Sequence, residues 1–139
     1  MRRYFSLLLV LLLLAVRPAF ADPLADFAAA EHIGDVGRFE ATITALRRDG
    51  HLPDGLYVTK NAAERKGWHP GQDLCAVLPG ESIGGDLFDN REGRLPRGAT
   101  YHEADLDYHC GHRAAKRLVY NAERQWVTID HYRSFQPVP

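Results

Sequence analysis

The chain has 139 residues, of which 45% are hydrophobic, 25% charged and 10% aromatic. This length allows one globular domain, and the composition excludes collagen, coiled-coil and largely disordered proteins. The formal charge of −1 excludes a globally basic nucleic-acid coat but not a local basic site. Two cysteines allow at most one intramolecular disulfide.

The N-terminus has the pattern of a secretory signal peptide. Arg2 and Arg3 form a basic start, residues 7–16 are an unbroken apolar run, and residues 19–21 (AFA) form a small-x-small cleavage signal. The run is shorter than the roughly 20 residues that span a bilayer. We expect cleavage near Ala21, secretion to the periplasm or the medium, and no stable membrane association. Loss of three arginines and no acid would change the formal charge from −1 to −4.

The remaining sequence predicts helices first. Residues 39–46 carry apolar side chains at helical spacing, and an Asp-Gly pair ends the pattern. Thr59 is a suitable cap for a second helix over residues 60–66, which ends at Gly67. Residues 73–78 predict a short third helix.

Strands are predicted next, over residues 83–88, 100–108, 116–120, 125–129 and 133–136. Their short connections favour antiparallel pairing. Helices followed by strands are typical of an α+β domain, with the helices packed on one face of the sheet.

Three carboxylates alternate along the strand at 100–108: Glu103, Asp105 and Asp107. Because side chains two residues apart share a face, we expect them to stand in one row. One interpretation is a solvated outer face. The other is a row of acids that faces cations and forms a site able to accept a proton and bind an anion, the candidate cations being Arg113, Lys116 and Arg117.

Histidines are the second chemical signal, since all seven follow the predicted cleavage site. The segment 109–112 (HCGH) also suggests a metal site, but adjacent strand residues point to opposite faces. A site of Cys75, Cys110 and His112 stays open as an alternative, although this irregular spacing is not a zinc signature.

Long motifs in collinear order resemble the barnase-type secreted ribonucleases. They are residues 82–96 (SIGGDLFDNREGRLP), 101–108 (YHEADLDY) and 128–132 (TIDHY), with shorter matches at 52–53 (LP), 57–60 (YVTK) and 67–68 (GW). The resemblance covers roughly residues 39–135 and is specific because several long motifs match in order. It divides the chain into a signal peptide (1–21), an N-terminal extension (22–38) and a ribonuclease domain (39–139).

The resemblance implies an α+β fold in which N-terminal helices pack on a five-stranded antiparallel sheet, and a monomer. It also implies endonucleolytic cleavage of single-stranded RNA after purines, preferably guanosine, without metal or other cofactor. The ribose 2′-hydroxyl attacks the adjacent phosphorus, a 2′,3′-cyclic phosphate forms, and water opens it to a 3′-phosphate. This chemistry requires a base, an acid and cations around the phosphoryl oxygens.

The resemblance assigns roles residue by residue. Glu103 matches the base and His131 the acid. Asp105 matches the residue that supports the arginines by ion pairing. The phosphate-binding positions match Lys60, Arg113 and Arg117.

Guanine recognition is assigned to residues 89–92. Glu92 would accept N1–H and N2–H of the base, backbone N–H groups near Asn90 and Arg91 would contact O6, and Tyr132 would stack beside the ring. The chain departs from the family pattern at three positions. Asp89 stands in place of a serine, His112 in place of an aromatic residue and His102 in place of an arginine.

The family's usual partner besides RNA is an acidic, barstar-like inhibitor inside the producing cell.

The fold implied by the resemblance also places Cys75 and Cys110 close together, which predicts a disulfide in an oxidising compartment. Two free thiols or a metal site are the alternatives for this pair. Two other classes remain for the protein: a secreted His-rich metal-binding module, and an RNA-binding or toxin-like protein with decayed catalysis.

Overall fold

A computed structural model of the protein describes residues 20–139; the predicted signal peptide lies outside them except for its last two residues. The helices are α1 (Pro23–Ala30), α2 (Val36–Asp49) and α3 (Lys60–Arg65), followed by a 3-10 turn (Leu74–Ala76). The strands are β1 (Tyr57–Val58), β2 (Ser82–Phe88), β3 (Tyr101–Asp105), β4 (Arg117–Tyr120), β5 (Gln125–Thr128) and β6 (Gln136–Pro137). Within residues 20–139 no helix has the length and apolar character needed to cross a bilayer.

The sequence signals for α2 and α3 reflect their packing and caps. Phe39, Ile43 and Leu46 are buried on one face of α2, which ends at Gly50 with a φ of 78°, a conformation that glycine adopts without steric cost. The Thr59 side chain accepts a hydrogen bond from a backbone N–H in the first turn of α3. Both predicted helices are therefore confirmed.

The helix α1 was not predicted from the sequence. It is short and rich in alanine, so it lacks a clear apolar periodicity, and packing stabilises it instead. Ala28 is fully buried in the core shared with α2 and the sheet. The rings of Phe27 and Phe39 stack with centroids 6.0 Å apart. Part of the predicted extension thus contributes to the hydrophobic core.

The strands form one six-stranded sheet in the order β1-β2-β3-β4-β5-β6. The α+β class is confirmed, but the expected five-stranded antiparallel sheet is not fully correct. The additional strand β1 pairs in parallel with β2, whereas the other pairs are antiparallel. Because β1 has only two residues, it is too short for the alternation that predicts a strand.

The sheet separates two hydrophobic cores. On the helix side, Ala104, Leu118 and Val127 pack with residues of α1 and α2. On the opposite side, a cluster of Leu95, Tyr101, Val119 and Trp126 packs with Phe88, Tyr132 and Phe135. Alternation along β3 therefore places Glu103 and Asp105 on the face away from α1 and α2.

The predicted row of three carboxylates ends after two. β3 ends at Asp105, and Asp107 has a φ of 52°, which takes it out of the strand. Its carboxylate turns to the α1–α2 connection, where it accepts hydrogen bonds from the backbone N–H groups of Gly34 and Asp35 at 2.9 and 3.0 Å. Lys116 donates to it at 2.8 Å, so this acid holds two parts of the fold together.

A bulge in β2 sets its register against β3. Gly84 pairs with Ala104 and Asp86 with Glu103, so Gly85 lies between two paired positions, with a φ of 99°. A Cβ on Gly84 would approach Ala104 Cβ within 2.9 Å. The Gly-Gly pair therefore allows both the bulge and the close approach of the neighbouring side chains.

Candidate active site

Glu103 lies on β3, where its side chain is 11% exposed. Its Oε2 accepts a hydrogen bond of 2.7 Å from the Tyr132 hydroxyl, and Lys60 Nζ lies 4.0 Å from Oε1. Burial and the hydrogen bond to Glu103 raise the pKa of Tyr132 far above its usual range. Tyr132 therefore remains a donor, and Glu103 is a carboxylate with a fixed direction and an adjacent cation.

Asp105 is two residues further along the same face and contacts two arginines. Arg113 donates two hydrogen bonds to its carboxylate, from Nε at 2.7 Å and Nη2 at 2.8 Å. These hydrogen bonds raise the pKa of Arg113 above its usual value, and the charge of Glu103 adds to the effect. Arg117 Nε lies 3.0 Å from Asp105 Oδ1, while the Asp105 side chain is only 2% exposed. One buried acid thus holds two guanidinium groups near Glu103.

Arg117 is itself almost buried, with 5% of its side chain exposed. Its Nη1 donates to the carbonyl oxygens of Ala114 and Lys116 at 2.5 and 2.9 Å. Its Nε–H does not point at Asp105, so within the described structure this group makes an ion pair but no hydrogen bond. We call Lys60, Glu103, Asp105, Arg113 and Arg117 the charged cluster.

His131 and Tyr132 lie in the connection between β5 and β6, with φ angles of 56° and 69°. Two consecutive left-handed residues other than glycine are unusual. Asp130 holds this turn, since it accepts hydrogen bonds from the Ser134 hydroxyl, the backbone of Ser134, the Thr128 hydroxyl and the backbone of Arg133. These bonds, led by those from Ser134, lower the pKa of Asp130 to about 2.

The turn places His131 next to Tyr132, which contacts the charged cluster. The rings of His131 and Tyr132 have centroids 5.0 Å apart, and the Tyr132 hydroxyl reaches Glu103. His131 is exposed to solvent. His131 is thus the chain neighbour of the tyrosine whose hydroxyl contacts Glu103.

A pocket of about 390 Å³ lies between this turn and the 89–94 loop. The Tyr132 ring forms part of its wall and stacks on Phe88, with centroids 5.3 Å apart. Asn90 shapes the loop, because its side chain donates to the Leu95 carbonyl at 2.8 Å and accepts from the Leu95 N–H at 3.1 Å. Phe88 and Tyr132 supply an aromatic surface in the wall of this pocket.

Charges in the 89–94 loop are paired within the loop. Asp89 contacts Arg91 Nε at 3.2 Å, although the two side chains are 72% and 86% exposed. Glu92 forms an ion pair with Arg94, and both also line the pocket. Glu92 is thus present at the pocket as a carboxylate whose partner is a flexible, half-exposed arginine.

The supporting roles of four residues were not identified from the sequence: Asp73, Asp86, Tyr108 and Asp130. Asp86 accepts hydrogen bonds from the backbone N–H of Lys60 at 3.0 and 3.3 Å, which fixes the start of α3 beside Glu103. Tyr108 and Asp73 join the 3-10 turn to the β3–β4 connection through a hydrogen bond of 3.1 Å. The only sequence signals for these contacts were an aspartate just before each turn, Asp73 and Asp130, and an aspartate after a Gly-Gly pair, Asp86.

The predicted disulfide between Cys75 and Cys110 is confirmed, with their Cα atoms 5.5 Å apart. Asp73 lies beside it and accepts hydrogen bonds from the backbone N–H groups of Gly111 at 2.9 Å and of Cys75 at 3.0 Å. These bonds lower the pKa of Asp73. Within residues 20–139, Asp73 and the two cysteines are the one group of three metal-ligating side chains that lie close together, and the disulfide occupies both sulfur atoms.

The two histidines that depart from the family pattern lie outside the charged cluster. His102 points to the other face of β3, where its ring stacks on Tyr120 with centroids 5.8 Å apart. Its Nδ1 lies 3.0 Å from the carbonyl oxygen of Gly85. His112 is exposed next to Arg113. Neither forms an ion pair with an acid of the site in the described structure.

Comparison with known proteins agrees with this architecture. Residues 51–139 match the model of a protein family described as ribonuclease. A ribonuclease of Heyndrickxia coagulans is 45% identical over 106 residues, which cover 72% of this chain and 94% of the relative. Ribonucleases of Bacillus intermedius and Bacillus pumilus are also 45% identical over 106 residues, which span 64% of their length.

The site and the comparisons lead to the same assignment. A carboxylate and three cations meet on one face of the sheet, and a histidine follows in the turn that lines an aromatic pocket. These groups can move protons and hold an anion. The relatives match at an identity and coverage that establish common ancestry of the domain. The chain therefore belongs to the barnase-like family of microbial ribonucleases, and its substrate class is RNA.

Proposed function

We propose that the protein is a metal-independent endoribonuclease that cleaves single-stranded RNA after purines, preferably guanosine. The observation that carries this proposal is the charged cluster. Glu103 is fixed by Tyr132 next to Lys60, and Asp105 holds Arg113 and Arg117 on the same face. Before any substrate binds, the cluster thus holds a carboxylate that can accept a proton, Glu103, and three cations that can bind a phosphate.

In the proposed reaction Glu103 accepts the proton of the ribose 2′-hydroxyl as its oxygen attacks the adjacent phosphorus. His131 donates a proton to the 5′-oxygen that leaves, and a 2′,3′-cyclic phosphate remains. Water then opens the cyclic phosphate to a 3′-phosphate, with the two proton-transfer roles reversed. Lys60, Arg113 and Arg117 stabilise the negative charge on the phosphoryl oxygens.

Guanosine preference is proposed to arise in the pocket beside Tyr132. A carboxylate at Glu92 can accept two hydrogen bonds from guanine N1–H and N2–H, whereas adenine does not offer this pair of donors. Binding of guanine requires Arg94 to leave Glu92, and the exposure of both side chains makes this movement easy. Backbone N–H groups near Asn90 and Arg91 would contact O6, and the Tyr132 ring would lie beside the base.

Secretion is proposed from the N-terminal sequence, with cleavage near Ala21 and a monomeric mature protein. N-terminal sequencing of the exported protein tests the cleavage position, and a first residue other than one near Asp22 would contradict it.

The producing cell is proposed to contain an acidic, barstar-like inhibitor that covers the phosphate-binding arginines. Harmless expression of the mature protein in the cytoplasm, without any neutralising protein, would contradict that partner.

Cleavage of a short RNA with all four bases, with and without excess EDTA, tests the proposed activity. We expect cuts after guanosine before other bases, products with a 2′,3′-cyclic phosphate and then a 3′-phosphate, and equal rates in EDTA. Loss of activity in EDTA would favour a metal-binding module. RNA binding without cleavage would favour a protein with decayed catalysis.

A further inference from the structure

Three arginines line the pocket beside Tyr132, namely Arg91, Arg94 and Arg133. They differ in whether an acid is paired with the guanidinium group. Arg91 is paired with Asp89, and Arg94 with Glu92. The third, Arg133, forms neither an ion pair nor a side-chain hydrogen bond with any residue of 20–139. Two of the three arginines are thus paired with acids of the 89–94 loop, and Arg133 has no acidic partner among the described residues.

The backbone of Arg133 is fixed although its side chain is exposed. Its N–H donates to Asp130 Oδ1 at 3.1 Å, in the same turn that positions His131 and Tyr132. The side chain therefore starts from a defined point on the pocket wall. Its guanidinium can move over a limited region next to the pocket.

The linkage that is cut does not need this arginine. Lys60, Arg113 and Arg117 already surround the position proposed for the scissile phosphate, and these residues do not line the pocket that contains Arg133. A longer RNA strand carries a further phosphate on each side of the scissile linkage, one 5′ of the reacting nucleoside and one 3′ of the next nucleoside. An exposed guanidinium beside the nucleotide pocket is suited to such a phosphate, because it offers several donors in a planar fork.

We propose that Arg133 binds a backbone phosphate of RNA outside the scissile linkage. This inference rests on the proposed function, because it assumes that a guanosine of single-stranded RNA occupies the pocket. The contact would supply local positive charge on a chain whose formal net charge is −1. It would act on substrate binding, and the reaction steps at the scissile phosphate would not depend on it.

Binding of non-cleavable oligonucleotides tests the proposal. A fluorescein-labelled pentanucleotide with guanine at its centre and 2′-deoxyribose at every position lacks the attacking hydroxyl throughout and measures affinity without turnover. The unlabelled competitors are a dinucleoside monophosphate with the deoxyguanosine first, and trinucleotides extended on its 5′ or its 3′ side. Kd is measured by anisotropy between 0.05 and 0.2 M KCl for the unmodified protein, Arg133→Gln, Arg133→Lys and the control Arg124→Gln. Arg124 is an exposed arginine in the β4–β5 turn, away from the pocket lining.

We expect Arg133→Gln to reduce the slope of log affinity against log salt by about 0.7 for the pentanucleotide, the value for one phosphate contact in a single strand. This slope corresponds to a loss of about eightfold at 0.05 M salt if the contact is purely ionic. Arg133→Lys should keep most of the slope, and Arg124→Gln all of it. The trinucleotide that shows the loss identifies the 5′ or the 3′ phosphate.

Two results would overturn the proposal. One is an unchanged salt slope in Arg133→Gln. The other is an equal loss for the dinucleoside monophosphate, which has only the scissile linkage and would place Arg133 at that phosphate. If the unmodified protein showed no guanosine-dependent binding at all, the proposed function itself would fail.

Discussion

The charged cluster and the 89–94 loop both carry acids and bases, but they hold them differently. In the cluster, the carboxylate of Asp105 is 2% exposed and contacts two arginines. In the loop, Asp89 and Arg91 form a pair with both side chains mostly in solvent. A buried pair has a fixed geometry and a large cost of disruption, whereas an exposed pair contributes little and exchanges partners easily.

This difference suits the two tasks that we propose for these regions. Proton transfer and charge stabilisation need groups that are in position before the substrate arrives. Recognition of a base needs groups that can release one partner and accept another. The cluster suits the first of these proposed tasks because Tyr132 and Asp105 fix its groups, and the loop suits the second because Glu92 and Arg94 are exposed.

The largest effect is expected when the proposed proton-transfer groups are removed. Glu103→Ala and His131→Ala should each reduce cleavage of a guanosine-containing dinucleotide by about 10²–10⁴-fold, the usual contribution of a positioned acid or base. The pH profile should be bell-shaped, because the proposed reaction uses one group as a proton acceptor and another as a proton donor. Steady-state kinetics measure the effect, with the exposed His69→Ala as the control. Near-normal cleavage by His131→Ala would remove that residue from the mechanism.

Loss of the central acid of the cluster should affect both stability and activity. Asp105→Asn leaves Arg113 and Arg117 without a charged partner, and breaking a buried pair typically costs about 3–5 kcal/mol of the free energy of unfolding. Urea denaturation measures this cost. Asp89→Asn in the exposed loop is the matched control and should change stability by less than about 1 kcal/mol. Equal losses in the two variants would contradict the contrast drawn between the two regions.

Reduction of the disulfide tests how the β3–β4 connection is held. The bridge joins residues 35 apart in sequence, and the chain-entropy estimate for such a loop is about 4 kcal/mol, an upper value. A Cys75→Ser/Cys110→Ser variant should therefore have a lower Tm but retain most of its kcat, because Asp73 and Tyr108 still connect the same segments. Two free thiols in the denatured, unreduced wild-type protein would show that the bridge does not form.

Base preference should depend on a single charged acceptor in the loop. Glu92→Gln replaces a carboxylate by an amide and should reduce the ratio of guanosine to adenosine cleavage by about 10- to 100-fold, since a hydrogen bond to a charged group contributes about 1.5–3 kcal/mol. Stability should hardly change. Glu123→Gln, an exposed glutamate in the β4–β5 turn, is the control with the same change of charge. An unchanged ratio would exclude Glu92 from recognition.

The smallest effect is a local response to acid in the turn that carries His131. The pKa of Asp130 is lowered to about 2, below its usual value in an unfolded chain. Its contribution to the order of the turn is therefore complete above about pH 4 and is lost as the pH falls through about 2. NMR titration of the Arg133 and Ser134 amides should show this midpoint. A midpoint near the usual value for aspartate would contradict the hydrogen-bond network.

The sequence predicted most of the elements because their signals are local. The apolar spacing in α2, the Thr59 cap and the alternation in β3 each depend on a few adjacent residues. The helix α1 and the strand β1 were missed because packing stabilises one and pairing with β2 the other. Asp107 was placed on the wrong face because its left-handed backbone conformation is not encoded by an obvious residue type such as glycine.

The candidate site residues were proposed mainly by resemblance and only partly by spacing. Glu103 and Asp105 follow from strand alternation, but Lys60 and His131 are far from them in sequence, and only the tertiary fold brings them close. The supporting contacts of Asp86, Asp130 and Asp73 were not predicted, because each joins a turn to a backbone group elsewhere. Such contacts leave no periodic pattern in a sequence.

The bulge at Gly85 sets the register between β2 and β3. Enzymatic activity can therefore report whether these strands are correctly paired. β3 carries Ala104 to the helix side and Glu103 and Asp105 to the opposite face. A shift of one residue in its pairing would exchange these faces completely. The carboxylates of Glu103 and Asp105 would enter the hydrophobic core, and Ala104 would take a place in the charged cluster. No misaligned molecule could then be active, so an active-site titration would count the molecules in which β2 and β3 are correctly paired.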